Sequence, residues 1–305
     1  MKYQNWLNEW LENYVKPTHK QRTYDRYQQI VSTHIIGNLG SYELNVITPL
    51  ILQKYVAQLS QSGNRQTGQP LSANTVNGII SILQSSLKMA YTLGLCREYV
   101  GNKIARPKII EKQISCFTLT EQKQIERFIF TNKKFKLYGI IICLYTGLRI
   151  GELLGLEWSD IDFNKCILTV SKTVYDFQGQ RRVDTPKTVN SHRMIPLPKQ
   201  LLPILKDLKH NTKSNWVVVD KSNRPISVRS YQRSFELLQK KLKITHKCFH
   251  ALRHTFATRA LECGMDVKSL SEILGHKNTS ITLNRYVHSL LEHKQSMMNK
   301  LGKLL

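Results

Sequence analysis

The polar residues best suited to chemistry are concentrated between residues 246 and 288 of this 305-residue chain. Four of them stand out by type: His250, Arg253, His276 and Tyr286. The apolar residues among them recur at helical spacing: Leu252, Phe256, Leu261, Val267, Leu270, Ile273 and Leu274. Two imidazoles, a guanidinium and a phenol set on patterned helices predict a reactive site held by rigid elements.

A metal site is one interpretation of the histidines. His250 and His254 are four residues apart, so on a helix they share one face, as two zinc ligands do. The metalloprotease pattern, however, has a glutamate directly after the first histidine, where this chain has Ala251. A third ligand is not evident from the spacing. We therefore expect no bound metal.

Two further cations lie earlier in the chain. Taken alone, Arg149 in TGLRIGELLGLEW is the ion-pair partner of a carboxylate such as Glu152. Lys187 in TPKT, taken alone, is a solvated lysine at a hairpin corner. Taken together with the residues of the first group, they form a cationic set around one hydroxyl nucleophile, Tyr286.

Such a set suits attack on a phosphodiester. Guanidinium groups bind non-bridging oxygens through paired hydrogen bonds and stabilise the charge that develops on phosphorus. A phenol has a reference pKa of about 10, so it must give its proton to a nearby base, and the leaving 5′ oxygen must receive one. The chain shows no carboxylate cluster suited to Mg²⁺, which argues against a two-metal nuclease.

The charge of the chain indicates a polyanionic partner. Lysine and arginine number 45 against 21 acidic residues, which gives a formal net charge of +24. The excess is spread along the chain, with +7 in residues 1–110 and +17 in residues 111–305. A nucleic acid that touches both parts is the economical interpretation. A basic soluble protein without such a partner is the alternative.

Cysteine usage and hydropathy predict a soluble cytoplasmic protein. The six cysteines are far apart and include no C-x-x-C pair, so no disulfide framework is expected. The N-terminal stretch MKYQNWLNEWLENYV is amphipathic and acidic, unlike a signal peptide. The longest apolar run, from Leu137 to Tyr145, is far too short to span a bilayer.

The first 105 residues are expected to form a compact helical domain. Helices are predicted at four positions: 3–15, 18–32, directly after Thr48-Pro49, and 72–93. Gly37 and Gly40 predict a turn after the second of these helices. Residues 106–116 are basic and lack clear periodicity, so we expect them to link this domain to the next.

The second domain is expected to cover residues 117–288 and to combine helices with a small antiparallel sheet. Thr120 is the predicted N-cap of its first helix. Short β-branched segments between 166 and 197, separated by turn signals such as Gln178-Gly179, predict the strands. WVVVD at 216–220 is a candidate further strand. Helices are also predicted at 137–145, from near 149, at 199–209 and at 227–242.

Five motifs, in a fixed order, carry a resemblance to a known family. They are TGLRIGELLGLEW, TPKT with HRMIPLP, HALRHTFATRALECG, LGH and NRYVH. In this order and spacing they resemble the tyrosine recombinase (phage integrase) family across the second domain. The resemblance implies a mainly α fold: a helical, SAM-like core-binding domain followed by an α+β catalytic domain. In the family these two domains form a C-shaped clamp around double-stranded DNA.

The resemblance also implies roles for individual residues. Tyr286 would be the nucleophile, which forms a 3′-phosphotyrosyl link and frees a 5′ hydroxyl. Arg149 and Arg253 would clamp the scissile phosphate, with His276 adding a hydrogen bond. Lys187, on the hairpin, would be the general acid for the leaving 5′ oxygen.

The remaining site residues are assigned supporting roles by the same resemblance. His250 would act as a base or an orienting group. His254 would support the catalytic residues and take no direct part in catalysis. Glu152 would hold the cationic residues or a neighbouring turn. The chain departs from the family at Ala251, where an aspartate is frequent. That departure removes a local support but no catalytic group.

The function implied is site-specific recombination of a mobile element, without metal or high-energy cofactor. The hairpin is more similar to integrases of phages and conjugative transposons than to chromosome-dimer resolvases. A homotetramer would exchange strands between two DNA sites through a Holliday junction, with accessory DNA-bending or directionality proteins. Residues 289–305 predict a basic amphipathic helix that docks on a neighbouring protomer or on its own domain. The alternatives are a type IB topoisomerase and a DNA-binding regulator that has lost catalysis.

Overall fold

The computed structural model describes residues 1–110, 115–184, 192–276, 278–280, 298–299 and 302. The chain forms two compact units, Met1–Lys112 and Gln113–Leu305. Within the described residues the fold is mainly α, with small antiparallel sheets in the second unit. The predicted fold class is therefore confirmed.

The helices of the first unit enclose its core. They are α1 (Tyr3–Trp10), α2 (Gln21–Ile30), α3 (Ile36–Leu39), α4 (Pro49–Ser62) and α5 (Ala73–Thr92). The α1 helix packs on α5, where Tyr3 Oη lies 2.7 Å from Ser86 Oγ and Trp6 Nε1 donates to the Ser86 carbonyl at 3.0 Å. Both aromatic side chains are fully buried. The helical path continues through a wide turn at Leu11–Val15, which confirms the first predicted helix.

The second predicted helix is longer than its sequence pattern indicated. After α2 the chain continues through a wide helical turn, Val31–Ile35, into α3, so Gly37 lies within a helix. The turn expected at Gly37 is therefore wrong, and only Gly40 follows a helix end. Val31, Ile35 and Leu39 recur every four residues and are all buried. Their burial outweighs the cost of about 1 kcal/mol for a glycine inside a helix.

Hydroxyl side chains cap the next two helices, and the cap expected at Thr48 is present. The N–H of Ile51 donates to Thr48 Oγ1 at 3.3 Å, and Pro49 occupies the first turn of α4. The N–H of Thr75 donates to Ser72 Oγ at 3.2 Å at the start of α5. The predicted starts of both helices are confirmed, because each hydroxyl satisfies a backbone N–H that the helix itself leaves without a partner.

In the second unit, a run of strands is preceded and followed along the chain by helices. Its helices are α6 (Leu119–Thr131), α7 (Tyr138–Thr146), α8 (Ile150–Leu154), α9 (Leu201–His210), α10 (Val228–Lys241), α11 (His250–Glu262) and α12 (Val267–Leu274). Its strands are β1 (Ile161–Asp162), β2 (Ile167–Val170), β3 (Thr173–Phe177), β4 (Gln180–Asp184) and β5 (Arg193–Pro196). The α7 helix is buried nearly along its whole length and packs against α11. The contact between α7 and α11 therefore lies in the hydrophobic core of this unit.

The first helix of the second unit begins two residues earlier than expected. Its N-cap is Thr118 rather than Thr120, and the N–H of Glu121 donates to Thr118 Oγ1 at 3.1 Å. The Glu121 carboxylate accepts in return from the N–H of Thr118 at 2.8 Å. Only Thr118 has a glutamate three residues later, and this reciprocal pair decides which threonine caps the helix.

Two separate sheets take the place of the single sheet that was expected. Within the described residues, β1, β2 and β5 form one antiparallel sheet in that order, and β3 pairs with β4 in another. The β3–β4 hairpin turns at Gln178 and Gly179, whose φ angles are +49° and +75°. Positive φ at both positions gives the hairpin turn that matches strand twist, so this turn signal is confirmed.

The segment 216–220 is not a strand. Trp216 forms an isolated bridge with Glu157, and Val219 forms one with Pro225. Val217 and Val218 are buried and belong to the core of the unit. The apolar run therefore reflects burial and not pairing in a β-sheet. A short apolar run has the same sequence pattern whether the buried segment is a strand or not. None of the described helices combines the length and hydropathy needed to cross a membrane.

Candidate active site

Arg149 stands at the start of α8, directly after the turn that ends α7. Its N–H donates to Glu152 Oε2 at 2.9 Å, and its Nη1 donates to Glu152 Oε1 at 2.8 Å. The Arg149 side chain remains 40% exposed while Glu152 is only 8% exposed. The buried carboxylate therefore holds the arginine from the protein side and leaves part of the guanidinium exposed to solvent, where a ligand can bind.

Arg193 is a further member of this cluster and was not among the site residues expected from the sequence. Its Nη1 and Nη2 donate to Glu152 Oε1 and Oε2 at 3.0 and 2.8 Å, and its Nε donates to the Ile273 carbonyl at 2.6 Å. A signal for it was present in the sequence. Arg193 and Ile195 alternate with exposed residues along β5, so the arginine points inward and needs a buried partner.

The two arginines keep Glu152 ionised inside the protein. Burial alone raises the pKa of this carboxyl group. Hydrogen bonds and charge from Arg193, and then the charge and N–H of Arg149, outweigh burial and lower the pKa from 4.5 to about 2. Glu152 is thus a permanent anion near neutral pH and a fixed support for both guanidinium groups.

The second unit is expected to lose stability in acid as the Glu152 carboxylate becomes protonated. Because the pKa is lowered on folding, the carboxylate stabilises the fold above pH 4.5 and loses this effect as pH falls toward 2. The contribution is on the order of 3 kcal/mol. Urea unfolding of wild type and Glu152→Gln should therefore differ strongly at pH 6 and converge toward pH 2. A difference that stays constant over this range would contradict the role of the charge.

Arg253 lies at the centre of the cluster and is only 1% exposed. Its Nη1 donates to the Gly147 carbonyl at 2.9 Å, and its Nη2 donates to the Leu274 carbonyl at 2.7 Å. The same Nη2 lies 2.8 Å from Nε2 of His276. Arg253 therefore joins the end of α7 to the end of α12 and the nearby His276, and these two regions are distant in the sequence.

Gly147 makes the turn that sets Arg149 beside the carbonyl bound by Arg253. Its φ is +67°, and an added Cβ lies 2.6 Å from Phe256 Cδ1 and 2.8 Å from Leu274 Cδ2. A side chain at this position is therefore both strained and crowded.

Gly147→Ala is expected to destabilise the second unit by about 2–5 kcal/mol, the sum of backbone strain and overpacking. Gly179→Ala is the matched control, because Gly179 has φ +75° with nothing within 4 Å of an added Cβ. It should cost only the backbone part, about 1–2 kcal/mol. Urea unfolding measures both. Equal losses would show that the contacts with Phe256 and Leu274 do not matter.

The structure places the other candidate residues as follows. His250 and His254 lie on the first turns of α11, with ring centroids 4.6 Å apart and rings nearly perpendicular. Lys187 and Tyr286 lie outside the described residues. Among the described residues, no three histidine, cysteine, aspartate or glutamate side chains are close enough together to hold a metal ion. The described part of the cluster is therefore Arg149, Glu152, Arg193, Arg253 and His276, with the two α11 histidines on the helix that carries Arg253.

A helical unit precedes an α+β unit in which arginines and a histidine converge. Clustered guanidinium groups of this kind are suited to hydrogen-bond a phosphate or a carboxylate. Residues 118–293 match the phage integrase family, and residues 2–60 match the phage integrase N-terminal SAM-like domain. The chain belongs to the phage integrase family, which confirms the resemblance carried by the five motifs.

Individual relatives extend over nearly the whole chain. A protein named tyrosine recombinase XerC-like, from Caldanaerobacter subterraneus subsp. tengcongensis, is 29% identical, over 98% of this chain and 82% of the relative. The transposase from transposon Tn916 of Enterococcus faecalis is 25% identical, over 96% of this chain and 76% of the relative. Both coverages include the two units described above.

Solved structures share the fold. An integrase of transposon Tn1549, in complex with a circular intermediate DNA, has a TM-score of 0.82 at 24% identity and covers 99% of each chain. A lambda integrase dimer bound to a COC′ core site has a TM-score of 0.71 at 19% identity, over 92% of this chain and 97% of that one. The SAM-like and catalytic architecture expected from the motifs is confirmed.

Proposed function

We propose that this protein is a site-specific DNA recombinase that integrates or excises a mobile element. The observation that carries the proposal is the contact between Arg253 Nη2 and His276 Nε2 at 2.8 Å. Arg253 also binds the carbonyl of Gly147, in the turn that precedes Arg149. Two guanidinium groups and an imidazole on rigid helix ends suit a phosphodiester, whose oxygens accept hydrogen bonds in a trigonal bipyramidal transition state.

The proposed reaction conserves the energy of the phosphodiester. Tyr286 Oη attacks the phosphorus and forms the 3′-phosphotyrosyl bond, while the bond from phosphorus to the 5′ oxygen breaks. His250 assists removal of the phenol proton, and Lys187 protonates the leaving 5′ oxygen. Arg149, Arg253 and His276 hold the non-bridging oxygens throughout. A 5′ hydroxyl from the partner strand then reverses these steps, so no nucleotide cofactor is consumed.

The proposed assembly is a homotetramer on two double-stranded DNA core sites. A lambda integrase tetramer has been solved on a Holliday junction, and it covers 92% of this chain with a TM-score of 0.70. In our proposal residues 1–105 bind the core site, 106–116 link the domains, and 117–288 carry catalysis. Residues 289–305 dock on a neighbouring protomer, accessory DNA-bending or directionality proteins take part, and the reaction takes place in the cytoplasm.

The experiment that tests this function detects the covalent intermediate. Duplexes bound by the protein are first enriched from a random-sequence library. A panel of each enriched duplex then carries one nick at each successive position, so that cleavage next to a nick releases a short fragment and traps the protein. A protein–DNA adduct that survives denaturation, on one strand and at one position, supports the proposal. Absence of adduct on every nicked duplex would favour a DNA-binding regulator.

Supercoil relaxation separates recombination from a topoisomerase. A type IB enzyme relaxes any supercoiled plasmid as a monomer. The proposed recombinase instead produces Holliday junctions and recombinants only from plasmids that carry the enriched sequence. Relaxation without dependence on that sequence, and without recombinants, would overturn the proposal in favour of the topoisomerase.

A further inference from the structure

Arg193 connects the two parts of the candidate site through one planar group. Two of its nitrogens bind the Glu152 carboxylate at 3.0 and 2.8 Å, and the third binds the Ile273 carbonyl at 2.6 Å. The side chain is 6% exposed. Because a guanidinium is planar and its donors are fixed in direction, these three bonds set the carboxylate and the carbonyl relative to each other.

The Glu152 carboxylate and the Ile273 carbonyl are each next to a candidate phosphate ligand, through a hydrogen bond or along the chain. Glu152 Oε1 also accepts from Arg149 Nη1 at 2.8 Å, so the carboxylate that Arg193 fixes is the support of Arg149. Ile273 lies in the last turn of α12. The next carbonyl, that of Leu274, accepts from Arg253, and His276 follows two residues later.

The turn between α12 and His276 packs closely on Arg193. Gly275 has φ +64°, and an added Cβ there lies 3.0 Å from Arg193 Cδ. Arg193 thus both binds the end of α12 and limits the space beside the turn. A shift of its guanidinium changes the positions of Arg149 and His276 relative to Arg253.

We propose that Arg193 is a positioning residue for DNA strand cleavage, which sets Arg149 at the spacing from Arg253 and His276 that one phosphate requires. The inference rests on the proposed function. Arg193 does not itself need to touch DNA, because Glu152 and the end of α12 transmit its position. A displacement of about 1 Å in such a site costs about 10²-fold in rate.

Arg193→Lys tests this role while the positive charge is kept. A lysine presents one compact ammonium and cannot hold both carboxylate oxygens and the Ile273 carbonyl in the same geometry. We expect adduct formation on the nicked duplex at saturating DNA to slow by about 10²-fold. DNA affinity should change by about threefold or less, because it is spread over many phosphate contacts.

Arg181→Lys is the matched control. Arg181 donates to two backbone carbonyls, those of Leu154 and Ile226, and lies over the Trp216 ring with its guanidinium carbon 4.7 Å from the centroid. Within the described residues, its hydrogen bonds reach neither Glu152 nor the end of α12. Both variants are assayed below their unfolding temperatures, with folding checked by circular dichroism. A comparable slowing in Arg181→Lys would make the effect a general loss of packing and would overturn the inference.

A double variant, Glu152→Gln with Arg193→Gln, separates stability from cleavage even if Arg193→Lys does not fold. Removing both charges together leaves no buried charge without a partner, so the unfolding midpoint should stay near that of wild type. Cleavage should nevertheless remain about 10²-fold slow. A double variant that cleaves at the wild-type rate overturns the inference.

The wild-type protein distinguishes failure of this inference from failure of the proposed function. Wild type that forms no adduct overturns the function, and the inference with it. Wild type that forms adduct, together with an Arg193→Lys variant that forms it equally fast, overturns the inference alone.

Discussion

Tyr286→Phe should bind DNA with wild-type affinity and form no covalent adduct, a loss of at least about 10⁴-fold. The phenyl ring keeps the size of the side chain but lacks the oxygen that attacks phosphorus. The remaining arginines and histidine can still bind the phosphate. The measurement is gel analysis of denatured complexes on the nicked duplex, alongside an affinity titration of the intact duplex.

Tyr91→Phe is the control for this replacement. Tyr91 is 48% exposed on α5 of the first unit and loses the same hydroxyl far along the chain from the cluster. It should form adduct at the wild-type rate. Adduct that persists in Tyr286→Phe would show that another residue is the nucleophile, and mass spectrometry of the DNA-linked peptide would identify it.

Arg253→Lys should slow adduct formation by about 10³-fold, as is typical for loss of an arginine that stabilises a phosphoryl transition state. Arg253 holds the Gly147 carbonyl, the Leu274 carbonyl and His276 with two nitrogens. One ammonium group cannot keep these three partners and also reach a phosphate oxygen. Single-turnover cleavage at saturating DNA measures the loss, at a temperature where the variant is folded.

Arg259→Lys is the matched replacement on the same helix. Arg259 lies six residues further along α11, pairs with Glu262 and donates to the Phe117 carbonyl at 3.3 Å. It should retain cleavage within about threefold of wild type, because an exposed pair contributes little. Similar losses in Arg253→Lys and Arg259→Lys would mean that the integrity of α11, rather than the Arg253 guanidinium, limits cleavage.

The sequence indicated the helices well where local signals agreed. Thr48-Pro49 and Ser72 mark the starts of α4 and α5, and Gly94, with φ +71°, follows the end of α5. It failed where a distant contact decided the outcome. Gly37 lies in a helix in which Val31, Ile35 and Leu39 are all buried, and the sequence shows the spacing of these three side chains but not that they find a surface to pack against.

The candidate site shows the same division between near and distant contacts. Glu152 was assigned to support the cations, and its pair with Arg149 spans only three residues. Its bonds to Arg193 span 41 residues, and the bond from Arg253 to Gly147 spans 106. Such pairs depend on how β5, α7 and α11 meet in space. The sequence alone therefore named most of the groups, but neither Arg193 nor the arrangement that holds them.

The bonds of Arg253 to Gly147 and Leu274 have an electrostatic consequence. Both carbonyls stand at helix C-termini, those of α7 and α12, where each helix carries about half an elementary negative charge. Two such ends can balance roughly one positive charge on a guanidinium that is almost entirely withdrawn from water. Peptide dipoles therefore hold the Arg253 guanidinium in place. An arriving phosphate does not have to displace a carboxylate from these two bonds. Little reorganisation is then needed when negative charge develops at phosphorus.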